Sequence, residues 1–262
     1  MHYQHVKVHR QGHIATLQFN RPQKANALSH AHLEEIEGAI LSFREDTQTR
    51  VVIFTGSGNH FSSGADLSDE LDVSKMPLVQ RRRQQRAGER CIEALLKMDQ
   101  ITIAAWRGAA MGGGACIATA CDFRVGAIGC FMRYPEIDIG LNLMWKSLPL
   151  IINLAGLARA KRLVIGGEHI TDHTLLAWGI LDELVAENDV MQACKKMALH
   201  YAAKPPVAAQ MIKQSANQIA HALNHAIMHM DVDQNLLTAA SEDRARAITA
   251  YRNKKPTEYD GN

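Results

Sequence analysis

The stretch ITIAAWRGAAMGGGACIATA, residues 101–120, decides how this chain is read. Its first six residues, apolar apart from Thr102, read as a buried strand. Gly108 and then Met111-Gly112-Gly113-Gly114 follow, and residues 115–120 are a run of mostly small side chains. Glycines at the entrance of a tightly packed helix leave its first backbone N–H groups unpaired and pointing outward, which is the geometry of an anion or oxyanion site. A second stretch repeats the theme. Residues 50–56, RVVIFTG, read as another buried strand, central in its sheet, and the turn-rich SGNHFSSGAD of residues 57–66 comes after it. If the two strands are neighbours, N–H groups from Ser63-Gly64-Ala65-Asp66 and from Gly112-Gly113-Gly114 converge on one oxygen. They would then stabilise the charge that develops when a carbonyl becomes an enolate. Taken singly, each glycine cluster fits a tight turn or close helix packing equally well. Neither is a phosphate loop, since G-x-x-x-x-G-K-[ST] and G-x-G-x-x-G are both absent.

Outward from these stretches, residues 13–20 read as a strand ended by Asn20-Arg21-Pro22. Residues 29–43 form an amphipathic helix capped by Ser29, with Leu33, Ile36, Ala39, Ile40 and Phe43 on its apolar side. Residues 67–77 lack periodicity and suit a loop beside a ligand. Arginines 81, 82, 83, 86 and 90 begin a basic helix whose apolar side is Cys91, Ile92, Leu95 and Leu96; a solvated face or subunit contact accounts for its charge better than phosphate binding. Short strands are expected at 122–125, 130–139 and 181–185, and helices around 159–165 and from Thr171 to Gly179. After Lys204-Pro205-Pro206 the strand signals vanish and the chain is helical in composition to about residue 252. The division is therefore drawn between a core at 1–203 and a helical region at 204–262, an α/β arrangement with a helical carboxyl-terminal portion.

With 262 residues, 47% of them hydrophobic and 21% charged, the chain is not disordered, collagenous or disulfide-stapled. Lys plus Arg at 29 against Asp plus Glu at 27 leave a formal charge of +2, too little for a field that gathers nucleic acid or a membrane surface. A small molecule is the expected partner. The amino terminus MHYQHVKVHRQG is polar and has no apolar h-region, so export is not expected. The longest uncharged apolar stretch, residues 148–158, falls short of the ~20 residues that cross a bilayer. The five cysteines are odd in number and never spaced C-x-x-C, which suits reduced thiols in the cytoplasm.

The order of motifs resembles the crotonase superfamily, also called the enoyl-CoA hydratase/isomerase family. The resemblance rests on Asn20-Arg21-Pro22 with Asn26-Ala27-Leu28, on residues 61–67 (FSSGADL), on residues 108–114 (GAAMGGG), on Cys121-Asp122, and on Pro135-Glu136 with Gly140. It runs from about residue 5 to about residue 255. It implies a ClpP-like core of repeated ββα units, a helical carboxyl-terminal trimerisation region, and homotrimers that often pair into hexamers. It implies an acyl-CoA thioester as ligand, with coenzyme A arriving as part of the substrate and no tightly bound cofactor or metal. By the same resemblance the N–H groups of Ala65 and Gly113 hold the thioester oxygen, Glu136 is the catalytic acid/base, and Lys24, Ala25, Asn26, Ala27, Leu28, Ala65, Asp66 and Leu67 line the CoA moiety. Tyr251 and Lys254 or Lys255 match more loosely positions from which some relatives contact CoA.

Two departures bear on the chemistry. Family hydratases carry a first glutamate three positions after Gly113, where this chain has Cys116. A thiol, with an ordinary pKa near ~8.5 and weak hydrogen bonds, does not replace a carboxylate that positions water. Moving a double bond from C3 to C2 needs only one group that takes a proton at C2 and returns it at C4, so isomerisation is favoured over hydration. A catalytically weak acyl-CoA-binding oligomer, or a hydrolase or decarboxylase on the same scaffold, are the alternatives. The second departure follows Gly140: in place of a glycine-rich turn stands Leu141-Asn142-Leu143-Met144-Trp145-Lys146, whose bulk reshapes the acyl pocket or serves the core or a trimer interface. Cys116 as a nucleophile lacks a nearby histidine and fits better as a packed thiol. His221, His225, His229 and Asp233 recur every four residues along an expected helix face, a polar stripe rather than a metal site.

Overall fold

The computed structural model describes residues 3–68 and 76–262, so the middle of the loop expected at 67–77 lies outside the described residues. The main sheet has six strands in the order β1-β2-β3-β4-β6-β9. β1 (Val6–Gln11) and β2 (Ile14–Phe19) form an antiparallel hairpin that turns at Gly12, with φ of +59°. From β2 onward every pairing is parallel, through β3 (Val51–Gly56), β4 (Ile101–Trp106), β6 (Phe123–Ala127) and β9 (Glu183–Val185). All six residues of β3 are buried, as its unbroken apolar run requires for a strand covered on both faces.

A smaller sheet of β5 (Ala109–Met111), β7 (Phe131–Arg133) and β8 (Ile170–Thr171) forms the second layer. Long strands feed directly into it: β4 runs into β5, β6 into β7, and the chain after β3 reaches it through a parallel bridge between Ser62 and Ala110. The repeated unit is therefore a long strand, a short strand and a helix. This topology brings the loops after β3 and β4 side by side.

Helices α1 (His30–Leu41), α2 (Leu78–Gln84), α3 (Ala87–Leu96), α4 (Gly113–Ala120), α5 (Leu148–Ala155), α6 (Leu157–Val164), α7 (Asp172–Ala177) and α8 (Val190–Ala202) pack around these sheets. The chain ends in α9 (Pro206–His221), α10 (His225–Met228), α11 (Asp231–Ala239) and α12 (Glu242–Asn253). The Ser29 hydroxyl accepts the His32 N–H and caps α1, and Leu33, Ile36, Ala39, Ile40 and Phe43 are all buried as their spacing predicts.

Several expectations needed correction. The basic helix is two helices, broken at Gln85 and Arg86, and three of its arginines are paired: Arg82 with Asp233, Arg90 with Glu37 and Arg86 with Glu89. Residues 130–139 contain only the short β7, because Pro135 favours a helical start and residues 135–139 close into a 3-10 turn ended by Gly140 at φ of +69°. The four-residue spacing of His221, His225, His229 and Asp233 spans α9, α10 and α11 with turns between them, so it does not mark one helix face. β1 and β5, too polar and too short respectively to announce themselves, are present as strands.

The carboxyl-terminal helices are tied to the core through one buried cation. Lys213 of α9 sends its ammonium to the Asp122 carboxylate at 2.8 Å and to the Gln100 carbonyl at 2.6 Å. Asp122 also accepts the Thr102 N–H and hydroxyl, each at 2.8 Å, and so clips β4 at its start. Removing the lysine leaves a desolvated carboxylate without its counter-ion. We expect Lys213→Met to lower the unfolding free energy by roughly 3 kcal/mol in urea titration, with Lys213→Arg recovering part of the loss.

Candidate active site

A cavity of about 220 Å3 opens where the loops after β3 and β4 meet the 3-10 turn after β7. The two loops are laced together by backbone hydrogen bonds: Ser62 N–H to Ala109 O at 3.0 Å and Met111 N–H to Ser62 O at 3.0 Å. Gly64, at φ of +87°, lies so close to the second loop that a Cβ there would stand 2.7 Å from the Met111 carbonyl oxygen. Glycine is required at that contact on both counts. Ala65 follows directly, and Gly113 opens α4 with an N–H that no preceding turn of the helix can accept. Both residues line the cavity, one from each of the two neighbouring loops.

Glu136 enters from the third side. The bond from Gly112 N–H to Arg133 O, at 2.9 Å, fixes the start of α4 against β7, and the 3-10 turn then delivers the glutamate. A Cβ at Gly112 would stand 2.7 Å from Glu136 Oε1. The carboxylate therefore rests over the residue immediately before Gly113. Its Oε2 is buried without a hydrogen-bond partner. Burial pushes the Glu136 carboxyl up to about 7; a bond from its own N–H opposes this, and the nearby Asp138 charge adds to it.

The remaining predicted residues lie beside the cavity, and Lys24, Ala25, Asn26, Ala27, Leu28 and Asp66 do not line it. Ala65 and Leu67 line the cavity, while residues 24–28 run alongside them. Leu28 N–H bonds to Gly64 O at 2.8 Å, Asp66 N–H to Leu28 O at 3.1 Å and Ser63 N–H to Ala25 O at 2.9 Å. Lys24 ends a 3-10 turn, and Ala25 and Asn26 both take left-handed backbone at φ of +48° and +54°. Asn26 holds this shape with its own fully buried side chain, accepting the Arg21 N–H and donating to the carbonyls of Ser57 and His60. Ala27 and Leu28 are buried too. Asp66 points back into the protein, 2.7 Å from Arg21 and 3.3 Å from Lys24, and these cations with the Ser68 hydroxyl hold its carboxyl well below the usual range against its burial. Asn26 and Asp66 brace the rim, whereas Lys24 and Leu67 are its exposed side chains.

Cys116 lines the cavity but is buried, and desolvation with the adjacent Glu136 charge lifts its thiol well above the ordinary value. It is an inert wall. The segment after Gly140 holds the larger surprise. Trp145 and Lys146 both take left-handed backbone, φ of +63° and +58°, a conformation that favours glycine. The Trp145 ring packs over the Cα atoms of Gly88 in α3 and Gly113 in α4, where a Cβ on either would overlap it. Lys146 keeps this turn in place: its N–H donates to Asp231 at 2.6 Å, and its ammonium pairs with Glu89 at 2.9 Å and with Glu93.

Three further wall residues, Asn235, Arg244 and Tyr251, come from α11 and α12. Of these only Tyr251 was singled out from the sequence; Lys254 and Lys255 do not line the cavity. Among the described residues, no group of three or more His, Cys, Asp or Glu side chains is gathered as a metal site would need. No helix among them is long and apolar enough to cross a membrane.

Two sheets linked by ββα units and a cavity between neighbouring loops define a crotonase fold. The comparisons agree. The sequence model described as Enoyl-CoA hydratase/isomerase matches residues 9–262. The chain is 27% identical to the short-chain-enoyl-CoA hydratase of Clostridium acetobutylicum, over 98% of each chain. It is 27% identical to the crotonyl-CoA hydratase of Syntrophomonas wolfei, over 99% of each. The crystal structure of an enoyl-CoA hydratase from Bacillus anthracis superposes with a TM-score of 0.77 at 27% identity, covering 99% of this chain and 100% of that one. The chain belongs to the enoyl-CoA hydratase/isomerase family and is an enzyme of that type.

The raised Glu136 carboxyl has a consequence for stability. Because the folded value lies above the unfolded one, the folded state favours the proton, and its contribution is complete below about pH 4.5 and lost as pH rises through about 7. Glu136→Gln removes that loss. We expect the variant to be more stable than the parent by about 1–3 kcal/mol at pH 8 and equally stable at pH 4, as read by denaturant titration at the two pH values.

Proposed function

We propose that this enzyme isomerises a 3-enoyl-CoA to the 2-enoyl-CoA through a dienolate. The Ala65 and Gly113 N–H groups donate to the thioester oxygen. Glu136 takes a proton from C2, the electron pair flows into the carbonyl, and the same carboxyl returns the proton at C4 as the double bond forms between C2 and C3. Atoms and charge balance, and one residue suffices. Two preorganised donors in a shielded site stabilise the developing oxyanion, commonly by several kcal/mol in such sites.

The observation that carries this reading is that Glu136 is the one carboxylate among the described residues lining the cavity. Hydration would call for a second acid/base to hold water, and the position where relatives have it offers a buried thiol of raised pKa. A carboxyl near 7 also suits a group that must both accept and release a proton at neutral pH. The exposed Lys24 and Leu67, with the backbone of residues 24–28 and 65–67, are proposed to receive the CoA moiety, which comes and goes with the substrate.

The helix α9 supports self-association, the trimer or dimer of trimers that the family resemblance implies. Its Val207, Met211, Ile212, Ile219 and Leu223 side, continued just past its end, is between 65% and 83% exposed in the single chain, an apolar surface suited to cover by further copies. Light scattering should return a multiple of three chains, and a monodisperse monomer would remove this assignment. The five buried free cysteines support the proposed cytoplasmic location.

The test is proton chemistry in deuterated water. A 3-enoyl-CoA should yield the 2-enoyl isomer, whereas release of a 3-hydroxyacyl-CoA would establish hydration and binding without turnover would favour the acyl-CoA-binding alternative. Since Glu136 must be ionised to take the C2 proton, kcat/KM should rise with pH through about 7 and level off above it. Glu136→Gln should lower the rate by about 10²–10⁴-fold. Cys116→Ala should retain the rate within about threefold, against the ~10⁴-fold or greater loss expected of a covalent nucleophile.

A further inference from the structure

The cavity wall contributed by α11, α12 and the segment after Gly140 carries polar atoms that the isomerisation does not use. Arg244 Nη1, Asn235 Nδ2 and Asn142 Oδ1 are all buried without a hydrogen-bond partner, and all three residues line the same cavity as Glu136. Asn235 is 97% buried, at 3% relative exposure. Among the described residues Arg244 has no ion pair, and its side chain makes no hydrogen bond. Its place is fixed by the backbone: α12 packs so tightly on Gly140 that a Cβ there would stand 2.8 Å from Arg244 Cα, and the Arg244 N–H is bonded to the capping Ser241 hydroxyl at 3.2 Å.

A guanidinium nitrogen taken out of water with no acceptor beside it is costly to keep, and an amide N–H₂ without an acceptor adds to that cost. Glu136 does not relieve it, since the two form no ion pair. An acyl chain ending in a methyl group would leave both donors unmet. A carboxylate brought against this wall would offer acceptors to these donors and balance the arginine charge, a role for which arginine is suited. The cavity, at about 220 Å3, lies below the ~300–1,000 Å3 usual for drug-sized ligands, so the chain between thioester and carboxylate is short.

We propose that the acyl group this site accepts is a short one bearing a terminal carboxylate, bound by Arg244 and Asn235. The proposal rests on the reading of Ala65, Gly113 and Glu136 as the thioester site, because it takes the acyl chain to run from there towards α11 and α12.

Binding of saturated thioesters tests it without requiring turnover. Calorimetry would compare six-carbon acyl-CoA thioesters ending in a carboxylate or in a methyl group, with free CoA as a third ligand. The carboxylate-ended thioester should bind at least about 30-fold more tightly than the methyl-ended one. Arg244→Met should collapse that ratio to within about threefold, and Asn235→Leu should reduce it independently if the arginine variant folds poorly. Equal affinity for the two thioesters in the parent protein overturns the proposal while leaving the thioester site intact. A ratio that survives both substitutions also overturns it, as does an Arg244→Met loss seen equally with free CoA, which would assign the arginine to the CoA phosphates. Failure of every thioester and of CoA to bind would overturn the thioester-site reading and this proposal with it.

Discussion

Three backbone segments crowd around Gly112 and leave no room for a single Cβ. Gly64 presses on the Met111 carbonyl, Glu136 Oε1 rests over Gly112 itself, and the Trp145 ring covers Gly113. Everything the site can do depends on this closeness. It sets the start of α4 beside the Glu136 carboxylate and the loop after β3, at the wall of one cavity. The two sheets exist, in this sense, to bring the ends of β3, β4 and β7 to one place, since parallel neighbours deliver their loops at the same edge.

Closeness has to be held against local strain. Ala25, Asn26, Trp145 and Lys146 all occupy left-handed backbone without being glycine, at a cost of order 1 kcal/mol each. On the rim the buried Asn26 amide and the Arg21–Asp66 pair offset that cost. On the opposite wall the Lys146 contacts to Asp231, Glu89 and Glu93 do so. Polar groups are thus employed in two different ways. Those that brace the backbone are partnered, whereas Glu136 Oε2, Arg244 Nη1 and Asn235 Nδ2, on residues that line the cavity, are not.

The central framework was legible because it depends on local signals. Apolar runs marked β3 and β4, the glycines marked the loops after them, and Pro135-Glu136 stood in its expected order. What escaped was set by contacts far apart in sequence. Nothing near Asn26 announces that its side chain will bind the carbonyls of Ser57 and His60, and nothing near Trp145 announces the glycine at 88 that makes room for its ring. Arg244 lies in a helix whose composition reads as solvated, and nothing near it in sequence announces the close approach of Gly140 to its backbone. The helix break at Gln85 and Arg86 and the 3-10 turn at residues 135–139 were missed for a simpler reason: short elements carry too few residues for a period to show.

The central claim is that two main-chain amides polarise a thioester oxygen beside one carboxylate, and infrared difference spectroscopy reads that polarisation at the bond concerned. With an acyl-CoA labelled at the thioester carbonyl carbon, the C=O band of the bound ligand should fall below its frequency in water, because two fixed donors draw electron density onto the oxygen. A band at or above the solution frequency, recorded with the ligand saturating the protein, would contradict the account.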